Sequence, residues 1–170
     1  EMSLTVDNTP PTPEASEPFM PRAEYPRPIL VRDQWQSLNG PWSFRVDPDN
    51  RGLTDAWFDG PWTDAQTITV PFSMESVASG IAEAEGAAVV WYQREVIKSE
   101  VWHSRIVLRV GASDFLTRVF VNGQEVGQHR GGYASFGLDI EHALMPGRNR
   151  ITIRVEDSLS WTQPRGKQAG

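Results

Sequence analysis

Carboxylates, histidines, one serine and a glycine pair are the residues whose types and spacing bear on chemistry. Glu83 and Glu85 lie in a stretch of small and polar residues, and Glu156 and Asp157 are adjacent at the end of an alternating segment. Neighbours on a strand point to opposite faces, so Glu156 and Asp157 do not form an acid and base acting on one bond. All four read as solvated surface charge. His103, His129 and His142 show no i,i+4 helical pair and join no cysteine or carboxylate motif, which argues against a metal site. Ser135 stands between Ala134 and Phe136 without the Gly-x-Ser-x-Gly elbow of a serine nucleophile. Gly131-Gly132 is not followed by Lys-Ser or Lys-Thr, so a phosphate loop has no support. No cofactor is expected.

Sugar binding is a different kind of chemistry, because a pyranose offers C–H faces for stacking and hydroxyls for planar hydrogen-bonding groups. Seven tryptophans provide the flat faces. Trp42 and Trp91 fall in strand patterns and are core candidates. Trp57, Trp62, Trp102 and Trp161 fall in loops or at strand ends, where large aromatics still serve packing more often than binding. A formal net charge of −6 with 16 basic residues argues against nucleic acid or an anionic membrane as partner, since either wants a basic face. A neutral ligand such as a sugar suits that balance. The chain has no cysteine, which removes disulfides, thiolate metal sites and cysteine nucleophiles. No run approaches the ~18 apolar residues of a membrane helix, and the first 30 residues lack a charged region followed by an apolar one. The chain as given reads as soluble, with no signal peptide or transmembrane segment.

The elements that position these residues are mostly strands. Phe115, Thr117, Val119 and Val121 alternate with Leu116, Arg118 and Phe120, the period of a strand with two unlike faces. Asn122-Gly123 then suits a two-residue type I′ turn, in which both central positions need positive φ. The register that follows sets Val121 against Gln124, Phe120 against Glu125, Val119 against Val126 and Arg118 against Gly127. It also leaves Arg118 diagonal to Glu125, within reach of a surface ion pair worth at most about 1 kcal/mol. Trp42, Phe44 and Val46 give an earlier half-buried strand, followed by turn formers from Asp47 to Gly52 and a short helix over Leu53 to Phe58. Ile68 to Val70, Val89 to Ile97, Arg105 to Val110 and Asn149 to Glu156 read as further strands, with a single helical turn within Ile140 to Pro146. Residues 1–24, with five prolines among polar residues, read as an extended or disordered lead-in, and 25–170 as one domain. Short strands between Gly, Pro, Asn and Asp turns, with no long amphipathic helix, indicate an all-β fold of two packed antiparallel sheets; roughly eight strands would make a jelly roll.

The wording VFVNGQEVGQHRGGYASFGLDI resembles the sugar-binding, jelly-roll domain of glycoside hydrolase family 2, the β-galactosidase and β-glucuronidase group. Trp35 to Phe44 is similar to the family's opening strand, Val70-Pro71-Phe72 to its Val-Pro step and Trp91-Tyr92-Gln93-Arg94 to its Trp-Tyr-Arg strand. Asn149 to Asp157 with Gln163 to Gln168 is similar to the closing strand and its exit. The resemblance spans about Tyr25 to Gln168 and carries the jelly-roll, galactose-binding-domain-like topology, which periodicity alone does not separate from an immunoglobulin-like sandwich.

The resemblance also implies a division of labour. Retaining glycosidases need two carboxyl groups roughly 5 to 5.5 Å apart, and in this family both are glutamates on a separate (β/α)8 barrel of about 250 residues. This chain has no Asn-Glu pair of the family's kind and no room for the barrel, so alone it is expected to be inactive. Its expected role is to bind sugar, shape one wall of the active site and brace the catalytic barrel, with the barrel and linking domain of the parent chain as partners. The family's substrate-contacting position lies before a Gly-Ile-Trp type motif beyond Gly170. Asp157, Trp161 and Arg165 are the candidates for the active-site rim or barrel interface. The alternative is a freestanding carbohydrate-binding or protein-interaction module on the same sandwich.

Overall fold

The computed structural model describes residues 2–6, 34–71, 88–102, 105–111, 113, 115–131 and 134–157. Ten strands are described: β1 Met2–Val6, β2 Gln34–Ser37, β3 Gly40–Val46, β4 Gln66–Val70, β5 Val89–Lys98, β6 Val107–Val110, β7 Leu116–Val121, β8 Gln124–Arg130, β9 Phe136–Asp139 and β10 Gly147–Glu156. One 3-10 turn, Glu141–Ala143, precedes β10 where a helical turn was expected. The strands form a four-stranded sheet, β2-β1-β6-β9, and a six-stranded sheet, β4-β3-β5-β10-β7-β8. Every pairing is antiparallel. The fold is the antiparallel β-sandwich that the strand patterns and turns called for, with the jelly-roll character that the family resemblance implied.

The two sheets enclose one core in which Leu4, Leu38, Trp42, Phe44, Leu108 and Ile153 are buried together. Burying each such side chain contributes roughly 1.5 to 3 kcal/mol. The six-stranded sheet is buried on its second face as well. Along β5, Val90 and Tyr92 belong to the main core, whereas Val89 and Trp91 join Phe120 in a separate cluster covered by Leu53, Trp57, Phe58 and Trp62. Alternation along one strand thus feeds two apolar layers. The cover is the excursion between β3 and β4.

Four expectations change. Met2–Val6 is not a lead-in outside the fold but an inner strand, paired with β2 on one side and β6 on the other. Its Leu4 is fully buried, because Met, Leu and Val alternate with Ser and Thr before the prolines begin. Residues 7–33 lie outside the described residues. The segment Leu53 to Phe58 is a run of turns and not a helix: Asp55 N–H bonds Arg51 O, Trp57 N–H bonds Gly52 O and Ala56 N–H bonds Leu53 O, three different spacings. Trp57 and Phe58 nonetheless pack down as expected. Ten strands replace about eight. The fourth change is in the hairpin.

Asn122 and Gly123 form the β7–β8 turn with φ of 51° and 85°, the positive pair of a type I′ turn. Val121 faces Gln124 and Phe120 faces Glu125 as the loop requires, but a bulge follows and sets Val119 against Gly127 and Arg118 against Gln128. The expected Val119–Val126 pair is therefore not made; Val126 is the extra residue, and it packs against the main core. The Arg118–Glu125 ion pair does form, at 4.0 Å.

Candidate functional site

Of the three sequence candidates only Asp157 is described, at the end of the six-stranded sheet where β3 stops, β5 starts and β10 finishes. Asp47 N–H bonds Val89 O and Asp157 N–H bonds Ala88 O, both at 2.9 Å. Asp157 thus extends the ladder one residue past β10, half-buried. Trp161 and Arg165 lie outside the described residues, as do Glu83, Glu85 and His103. Asp47 is 2% exposed because its carboxylate has donors to meet: Arg51 N–H and Gly52 N–H at 2.8 Å and Trp91 Nε1–H at 3.0 Å. A Cβ on Gly52 would come within 2.6 Å of the Trp91 ring, so the turn closes only over a glycine.

Arg154 is the charged counterpart. It is 1% exposed, and its Nη2 donates to Asn50 Oδ1 at 2.7 Å and to Glu156 Oε2 at 2.8 Å. A buried guanidinium is tolerable only with such partners. Its Nε is buried without one. Asp47, Asn50, Trp91, Arg154 and Glu156 therefore form a polar layer that ties the β3–β4 excursion to the sheet, and Glu156 is spoken for by Arg154.

The described loop tryptophans, Trp57, Trp62 and Trp102, also prove to be packing residues. Arg45 lies 5.2 Å from the centre of the Trp57 ring and 5.0 Å from that of Trp62, and pairs with Asp64. Burial lowers the Arg45 pKa from its ordinary value. Trp62 Nε1–H donates to Trp57 O at 2.8 Å, and Trp62 N–H to Gln93 Oε1 at 3.2 Å. Gln93 in turn donates to Gly60 O and Thr152 Oγ1, both at 3.0 Å. Trp102 packs on the main core. These stacking faces are spent on one another and on Arg45.

Of the two described histidines, His129 stacks on Phe136 with ring centres 4.2 Å apart, and His142 is exposed on the 3-10 turn. Among the described residues no group of three His, Cys, Asp or Glu is placed to hold a metal ion. Sequence reasoning passed over Asp47, Asn50 and Arg154. The one local signal was Asp47-Pro48-Asp49-Asn50, whose aspartate begins a turn by accepting backbone N–H bonds.

Two antiparallel sheets in this strand order, with polar side chains fastening loops to the sheet, define a jelly-roll domain of the galactose-binding type. The chain belongs to the glycosyl hydrolases family 2, sugar binding domain, whose family model matches residues 35–167. It is 36% identical over 146 residues to a β-glucuronidase of Paenibacillus borealis, covering 84% of this chain and 24% of that protein. It is likewise 36% identical over 152 residues to the β-glucuronidase of Homo sapiens, covering 81% and 23%. Among solved structures, the β-glucuronidase of Ruminococcus gnavus in complex with D-glucuronic acid superposes with a TM-score of 0.67 at 28% identity, over 74% of this chain and 22% of that one. A β-glucuronidase from an uncultured Clostridium gives a TM-score of 0.63 at 30% identity, over 73% and 22%. The chain thus spans under a quarter of the length of each relative. What it shares with them is the family 2 sugar binding domain, and the rest of their length has no counterpart in the match. Among the described residues, no helix is long and apolar enough to cross a membrane.

Proposed function

We propose that this domain serves a β-glucuronidase-type glycosidase as a non-catalytic wall, bracing the barrel that carries the two catalytic glutamates and shaping one side of the glucuronide pocket. The observation that carries this reading is the extent of the similarity: it takes in 84% of this chain yet at most 24% of the relatives compared. The Glu156 carboxylate, held by Arg154 at 2.8 Å, fits the same reading. Asp157, one residue past β10, would stand with Trp161 and Arg165 at the rim or barrel interface. The hydrolysis of O-glycosyl bonds, and the choice of sugar, belong to the whole enzyme.

Purified chain should release no aglycone from an aryl β-D-glucuronide; turnover by a pure sample would overturn the assignment. Calorimetric titration with glucuronate, galactose, mannose and a β-linked oligosaccharide separates the two roles. No heat with any of them supports a wall that acts only with its barrel. Saturable binding would instead make the domain a self-sufficient carbohydrate-binding module.

A further inference from the structure

We propose that Asn122 is a latent deamidation site whose reaction is gated by opening of the β7–β8 hairpin tip. The reaction needs only the chain and water. The Gly123 nitrogen, having given its proton to base, attacks Cγ of Asn122, the C–N bond of the carboxamide breaks and ammonia leaves with a proton from water. The five-membered succinimide so formed is opened by water at either carbonyl, giving an α- or β-linked aspartate. Glycine at the following position offers no side chain to hinder the attack. In an unfolded chain this dipeptide is therefore chemically exposed.

In the closed tip the carboxamide is held by three hydrogen bonds. Asn122 Oδ1 accepts Arg150 N–H at 2.9 Å, while its Nδ2 donates to Ala143 O at 3.0 Å and to Asn149 Oδ1 at 2.8 Å. Its backbone N–H bonds Arg150 O at 2.9 Å. The receiving side is just as fixed: Asn149 is 2% exposed, accepts Met145 N–H at 2.7 Å, and donates to Met145 O at 2.7 Å and Gly147 O at 2.8 Å. Attack on Cγ requires these bonds to break together, which is a local opening of the tip. The product does not fit back. A carboxylate there would set oxygen against the Ala143 carbonyl and Asn149 Oδ1, both acceptors, and the β-linked form would add an atom to a two-residue turn. Each opening thus risks a lesion that holds the tip open, so the site accumulates a record of how often the hairpin has parted.

The test incubates the folded chain and its urea-unfolded form side by side in mildly alkaline buffer and follows the tryptic peptide Val119–Arg130 by mass spectrometry, separating the two aspartyl isomers. The folded chain should deamidate at least about tenfold more slowly, in keeping with protection by a structured hairpin. Equal rates would overturn the gating. Asn122→Asp should melt at lower temperature and exchange the Arg150 amide hydrogen faster, and a variant that matches the parent in both would overturn the claim that the product cannot reclose. Should that variant fail to fold, the rate comparison on the unaltered chain still decides the gating.

Discussion

Three donors converge on the buried carboxylate of Asp47, two from the following turn and one from Trp91 on β5. Hydrogen bonds to a charged acceptor contribute roughly 1.5 to 3 kcal/mol each and leave desolvated donors behind when lost. Asp47→Ala should therefore lower the unfolding free energy by about 3 kcal/mol or more, read from the urea midpoint at unchanged m-value. Gly52→Ala attacks the same junction from the other side. Its Cβ would overlap the Trp91 ring at 2.6 Å, and a cost of about 1 to 3 kcal/mol is expected, with a blue or red shift of tryptophan fluorescence reporting the displaced ring. Arg94 holds a third junction: its Nη1 donates to Leu38 O at 2.7 Å and Asn39 O at 3.0 Å, and burial lowers its pKa. The Trp-Tyr-Gln-Arg wording is thus a structural clamp in which Trp91 and Arg94 fasten opposite faces of one strand. The two backbone donors to Asp47 are four and five residues away, but the other partners are distant in sequence. Asn50 and Arg154 are 104 residues apart, so their meeting has no signature that periodicity could show.

The β7–β8 hairpin separates what local chemistry dictates from what packing dictates. Asn122-Gly123 names its own turn because few dipeptides adopt two positive φ angles in succession. Gly123→Val should lower the melting temperature through a β-branched residue forced to a φ of 85°, a strain of about 1 to 3 kcal/mol; an unchanged melting temperature would reject the turn. The bulge three residues later answers to the opposite sheet. A Cβ at Gly127 would stand 2.9 Å from Leu138 Cδ2 of β9, so β8 must present a bare backbone there. Val126 is shifted to pack on the core instead. Nothing within β8 announces that demand, which is why the register was legible for two pairs and not beyond. β1 was hidden for a related reason. Five residues ahead of a proline-rich stretch carry too little pattern to outweigh the composition that follows.

Over the whole molecule, the sandwich was legible because its main core is built from alternation repeated strand after strand, while the outer layer over Trp91 and Phe120 rests on an excursion with no regular period. Asp157 was singled out only through resemblance; no pattern in the residues around it marks it, and it sits one residue past the closing strand. The inner position of β1 supplies a molecule-scale prediction. Deleting residues 1–6 would leave β2 and β6 with unpaired edges and remove Leu4 from the core. Such edges recruit other chains, so the truncated protein should elute as aggregate in size-exclusion chromatography where the full chain does not.

The same strand bears on synthesis. Ser3 pairs with Arg109, and at about 5 to 20 residues per second the ribosome takes roughly 5 to 20 s to deliver that partner. β10, the strand that joins β5 to β7, emerges later still. β1 must therefore travel ahead of every long-range partner it has, and Leu4 waits for its place in the core until they arrive.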